Sequence, residues 1–292
     1  MSTGETKEPT TATTATTALD DGGGHDQLSL LTSRLVSHHK KVSLLRHILS
    51  FHKTKNPTDY INLRSSSKLF HRALRPPPLW TSFPHSNYAT LQSLVDRLEE
   101  LRGGEKSSGN VPTVLFIEEG VYTAEGKYVE VKIPLSIYGA RGKTTLVGVG
   151  LMIKGKKSDG IVEIEDLTIK GGEGAGLIAS RGMNVIMRGC SVVDSTESGV
   201  FATGADISCD DLQVVGCGRN GVIAFNKATI MLSGQGTSIQ RNKFYGLNAL
   251  NTSSIIHLIR PLTKEQISTN NGGGGNWGGN WGGDGTIEQV SK

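Results

Sequence analysis

Gly176, Gly199, Gly221 and Gly246 recur at intervals of 23, 22 and 25 residues, and each stands at the same place in a longer template. An aliphatic residue opens each copy. Apolar residues or threonine follow at +2, +5 and +7. Seven residues after that come Gly, an aliphatic residue, any residue, and Ala. The copies begin at Val162, Val185, Ile207 and Ile230, and the fourth carries two extra residues within Ser233–Gly236. Each copy holds three short stretches of period-two alternation separated by turns. Successive parallel strands lie about 4.8 Å apart, and three strands with three corners close one triangular turn in roughly 22 residues. The repeat therefore predicts a mainly β fold, a single-stranded right-handed parallel β-helix, over residues 110–260.

In such a coil equivalent residues stack. Leu177, Val200, Val222 and Leu247 form one inward column, Ala179, Ala202, Ala224 and Ala249 a second, and Ile169, Val192, Val214 and Ile239 a third. Function must then come from outward columns and corners. Between the first two inward columns stand Ile178, Phe201, Ile223 and Asn248. These form an outward strip whose apolar character fits a docking surface for a protein substrate. The neighbouring outward column, Thr168, Ser191, Gln213 and Ser238, is plainly polar.

Glycine use divides the rest. The chain has 38 glycines in 292 residues; none falls between His25 and Arg102, and 34 fall from Gly103 onward. The Thr/Gly-rich residues 1–24 hold too little apolar surface to order and read as a disordered tail. Residues 25–102 show helical periodicity, as in Leu91, Leu94, Val95, Leu98 and Leu101. Ten Lys/Arg against two acids give His25–Arg75 a net charge of +8, above the +4 of the whole chain. Residues 261–292, with their Gly/Asn/Trp-rich run, read as a C-terminal cap and tail.

Two resemblances add to this reading. Leu44-Leu45-Arg46-His47-Ile48-Leu49-Ser50, then Leu63-Arg64-Ser65-Ser66-Ser67-Lys68-Leu69-Phe70, then Leu79-Trp80 resemble an F-box over about 40 residues. That resemblance implies a Skp-type adaptor as partner, contacted by Leu44, Leu45, Ile48, Leu49, Leu63, Phe70, Leu79 and Trp80. The opening Leu-Pro of the F-box is missing, and Ser66 stands where valine is common. Leu79–Pro84, the repeats and Leu262–Gly275 together are similar to a pectin-lyase-like family of β-helix proteins found in algae and other stramenopiles. That family implies no activity that transfers to particular residues here.

Candidate chemistry is sparse in the sequence. A lyase or epimerase of this fold needs stacked carboxylates and a base. Asp194, Asp206, Asp210, Asp211, Arg181, Arg188 and Arg219 are available, but neither Asp210 nor Asp211 has a carboxylate in the rungs on both sides. No catalytic residue, metal ligand or cofactor is expected. Cys190, Cys209 and Cys217 match no zinc spacing and fit reduced thiols. Without a visible signal or a long apolar run, the chain is expected to be soluble and intracellular, with no membrane partner and no nucleic acid. The expectation is a non-enzymatic F-box-like receptor of a cullin-RING ubiquitin ligase. The alternative is a carbohydrate-active β-helix protein, either lyase/epimerase-like or glycan-binding.

Overall fold

The computed structural model describes residues 80–103, 111–124, 126–278 and 285–291. Contacts divide the chain into two units at Pro77/Pro78, and every described residue lies in the second. The expected helical elements and adaptor residues before Trp80 lie outside the described residues.

Among the described residues, three parallel sheets form the faces of a β-helix, with nine, seven and seven strands. A central rung shows the plan. Asn184–Arg188 lies in the first sheet, Ser191–Val193 in the second and Val200–Thr203 in the third. Each strand pairs with its equivalents one rung away on either side. The register matches the template position for position: Leu177 pairs with Val200, Val200 with Val222 and Val222 with Leu247. The three expected inward columns are all fully buried. Strand alternation explains why: every second side chain points into a space only a few side chains wide.

Both ends of the coil are closed by local chemistry. The helix α1 (Leu91–Gly103) buries Leu91, Leu94, Val95 and Leu98. It starts at a reciprocal cap, in which the Thr90 and Ser93 side chains each accept from the other's backbone N–H. Tyr128–Val131 is the edge strand of the third sheet, so its outer backbone groups would otherwise have no partner. Gln92 Oε1 accepts from Glu130 N at 2.7 Å, and Glu99 Oε1 accepts from Lys132 N at 2.8 Å. The helix thus supplies side-chain partners where a further strand would have supplied backbone ones. Arg102 donates to the carbonyls of Pro134 and Pro112 and ties down its last turn. At the other end, α2 (Lys264–Ile267) opens on a Thr263/Gln266 capping box, and Thr286–Val290 pairs with Ile255–Ile259.

Polar ladders replace apolar stacking near this end. Asn242 Oδ1 accepts from Cys217 N, Asn271 Oδ1 accepts from Asn242 N, and Asn276 Oδ1 accepts from Asn271 N. Each amide thereby satisfies a backbone donor of its neighbour inside the coil.

Candidate functional site

The corner between the first and second sheets is two residues long in three successive rungs and four in the next, and its first residue is left-handed in all four. Asp166 (φ 56°), Gly189 (φ 58°), Asp211 (φ 52°) and Gly234 (φ 86°) hold this position in turn. Glycine enters the region without steric cost, and aspartate is among the side chains that tolerate it. The alternation has a spatial reason. A β-carbon on Gly189 would come within 2.6 Å of Asp166 Oδ1, and one on Gly234 within 2.3 Å of Asp211 Oδ1. Each carboxylate folds over the glycine of the following rung. The second corner repeats the device, with Asp194 over Gly216.

Arg141 turns this corner into a site. It lies in the turn between strands Ser136–Tyr138 and Thr144–Val147. Its Nε stands 3.2 Å from Asp166 Oδ1, and one terminal nitrogen reaches to 3.8 Å from Asp211 Oδ2. Gly189 leaves the room that this bridging requires. Asp166 is buried, whereas the Asp211 side chain is 38% exposed and that of Arg141 61%. Asp211 Oδ1 also accepts from Gly236 N at 2.8 Å. The residues inserted in the fourth repeat therefore form the far wall.

These groups border a cleft of about 430 Å³ lined by Arg141, Gly142, Thr168, Gly189, Ser191, Asp211, Gln213 and Gly236. Thr168, Ser191 and Gln213 form its floor in strict register. The cleft thus offers a guanidinium donor, a partly exposed carboxylate acceptor, two hydroxyls and an amide. Such a set can hydrogen-bond a polyhydroxylated ligand from several directions. Among the described residues no three His, Cys, Asp or Glu side chains gather where they could hold a metal ion.

The outward strip Ile178, Phe201, Ile223 and Asn248 lies on the third sheet, one residue per rung. Ile178 and Phe201 are half-buried, while Ile223 and Asn248 are only 8% and 5% exposed. Asn248 donates to Asn220 Oδ1. Of the adaptor residues, Leu44, Leu45, Ile48, Leu49, Leu63, Phe70 and Leu79 lie outside the described residues. Trp80 begins the first strand of the first sheet, pairs with Val114 and meets Phe116 edge-on at 6.4 Å.

Other charged candidates pair locally. Asp206 meets Lys157 at 2.7 Å, Arg188 meets Glu163 at 3.4 Å, and Asp210 accepts from Ser233 Oγ. The three thiols are buried inside the coil. Burial pushes those of Cys190 and Cys217 up to about 11, and that of Cys209 further up.

Asp166 and Asp211 stand two rungs apart with Gly189 between them, so neither has a carboxylate at this position in an adjacent rung. The signal was nevertheless present at the fifth position of the template, where Asp, Gly, Asp and Gly alternate. Arg141 lies in an irregular turn before the repeats, where no template position marks it.

No family model and no curated protein matches the chain. Among solved structures, it is similar to the catalytic domain of a GH87 α-1,3-glucanase in complex with nigerose, at 12% identity and a TM-score of 0.37. Two variants of that domain with nigerose are similar at 13% and 14% identity and the same TM-score. Each match covers 75% of this chain and 46% of the other. The likeness is one of fold. These three chains are glycoside hydrolase catalytic domains, and the expectation that the present chain is non-enzymatic is withdrawn.

Proposed function

We propose that the protein is carbohydrate-active and holds a glycan chain in the cleft between the first two sheets. The observation that carries this is the Arg141–Asp166–Asp211 constellation above a floor of Thr168, Ser191 and Gln213. Buried Asp166 fixes Arg141, so the guanidinium is oriented before any ligand arrives. Preorganised donors lose little entropy on binding. Asp211 is the exposed carboxylate of the pair, and it is placed to accept from a sugar hydroxyl or to act on one. A sugar's oxygens would meet the guanidinium, hydroxyls and amide, and its apolar ring face would meet the aliphatic parts of the floor.

The test is retention of the folded chain by a panel of glycans, including α-1,3-glucan, β-glucans and polygalacturonate, with assay for new reducing ends and unsaturated products. Binding is expected, and Arg141→Ala and Asp211→Asn are each expected to weaken it at least tenfold. A folded chain that none of the panel retains rejects the reading.

A further inference from the structure

The outer face of the third sheet is a second surface, separate from the cleft. Met152, Ile178, Phe201 and Ile223 stand in register on four successive rungs, and Phe225 and Leu250 extend the apolar surface in the column beside them. Phe201 and Phe225 meet with ring centroids 6.4 Å apart. Ile223 is buried and the other five are half-buried, so the strip is recessed between the loops that flank it.

Cations line both borders. Arg181 and Lys227 stand at the corner after the strands, and Arg219 and Lys243 in the loops before them, all four exposed. Among the described residues none of the four is in an ion pair. Lys127, Lys154 and Lys157, nearer the first rungs, are taken by Glu197, Glu130 and Asp206. Three exposed carboxylates outside any ion pair, Asp159, Glu173 and Asp194, stand along the same borders, and Lys156 and Arg241 add two more such cations. The free charge beside the strip is therefore positive in surplus.

The strip's dimensions point to the shape of its occupant. A four-residue strand is about 10 Å long, close to the diameter of an α-helix with its side chains. The backbone of this face is already hydrogen-bonded within the sheet. An extended peptide laid on it would find no partners for its own N–H and C=O groups, whereas a helix needs none. Helical turns rise about 5.4 Å and rungs about 4.8 Å, so apolar residues on successive turns of a helix lying along the coil axis meet successive rungs. A flat membrane would touch the exposed borders before the recessed strip.

We propose that this face docks an acidic amphipathic α-helix of a partner protein. Its apolar stripe lies on the strip, and its carboxylates reach the cations on both sides.

Fluorescence anisotropy of labelled synthetic helices with the full chain at low ionic strength tests this. The probe is a peptide of about 18 residues with a leucine stripe bordered by glutamates. It is expected to bind at least tenfold more tightly than the same peptide with lysine for glutamate, and than a scrambled one. Changing Arg181→Glu and Lys227→Glu together, both at exposed positions, is expected to lose at least tenfold in affinity. Phe201→Ala is expected to lose several-fold. Ser208→Glu, which adds negative charge to the outer face of the first sheet, is expected to lose nothing. Failure of the acidic peptide to bind, equal binding of the lysine peptide, or unchanged affinity in both the double variant and Phe201→Ala overturns the proposal. No retention by phosphatidylserine vesicles is expected; retention that the double variant abolishes would assign the face to a lipid surface and overturn it too. Glycan binding in the cleft is decided separately, by the panel above.

Discussion

Arg141 and Asp166 meet at 3.2 Å directly above Gly189, across a gap that a single methyl group would fill. The pair joins two successive rungs and sets the guanidinium that borders the cleft. Gly189 is therefore part of the site although it contributes no side chain.

That relationship separates two glycines with the same backbone conformation. Gly171 (φ 66°) has open space around its missing β-carbon, whereas at Gly189 (φ 58°) the space is taken. Gly171→Ala is expected to cost about 1 kcal/mol for the left-handed conformation alone. Gly189→Ala is expected to cost about 2–3 kcal/mol, because the Arg141–Asp166 pair must also shift. Denaturant melts of the two variants check the difference, and equal losses would show that the pair yields freely.

The coupling between Arg141 and Asp166 is itself measurable. Arg141 is largely exposed, so solvent and salt weaken the attraction. A double-mutant cycle with Arg141→Ala and Asp166→Ala is expected to give about 0.5–1.5 kcal/mol at low salt and less at high salt. A coupling near zero would mean that Asp166 does not fix the guanidinium.

The thiols predict a pH dependence. With folded values near 11 at Cys190 and Cys217 against an ordinary 9.0, and higher still at Cys209, the unfolded chain releases these protons first. Above pH 9 the unfolded state then binds fewer protons than the folded one, so stability falls as pH rises. The contribution is full below pH 9 and is lost between about pH 9 and 11. Cys209→Ala is expected to flatten that decline. In the native protein at pH 8 a thiol reagent is expected to find no reactive cysteine, and in denaturant all three.

The amide ladder near the C-terminal end gives a fourth expectation. Asn242 is buried, accepts from Cys217 N at 3.0 Å and donates to Asn271 at 2.9 Å. Asn242→Ala leaves a buried N–H without its acceptor. The expected loss is about 2–4 kcal/mol, read from thermal or denaturant unfolding. Asn242→Asp keeps an acceptor for Cys217 but buries a carboxylate whose second oxygen faces Asn271 Oδ1, and is expected to cost at least as much at neutral pH.

The coil was legible because its physics is periodic. Leu177, Val200, Val222 and Leu247 recur in the sequence at the interval at which they stack, so alternation and spacing gave the register directly. The ends were less legible. Gln92 and Glu99 act through the backbone of a strand more than thirty residues away, and nothing in the residues near them marks that pairing. The site was half visible. The floor residues Thr168, Ser191 and Gln213 were placed outward, but their role depends on the corner beside them. That corner depends on a contact between Arg141 and Asp211 spanning three rungs. The burial of Ile223 and Asn248 was hidden for a related reason: alternation gives the direction of a side chain and says nothing of what lies over it.

The corner residues give the molecule two periods. Its backbone repeats with every rung, but the sequence Asp166, Gly189, Asp211, Gly234 repeats only with every second one. Copying or deleting a single rung would set two carboxylates one above the other, or leave two glycines together with no side chain between them. A chain that lengthens while keeping this corner must do so by two rungs at a time. Its smallest heritable unit is therefore about twice its smallest structural one.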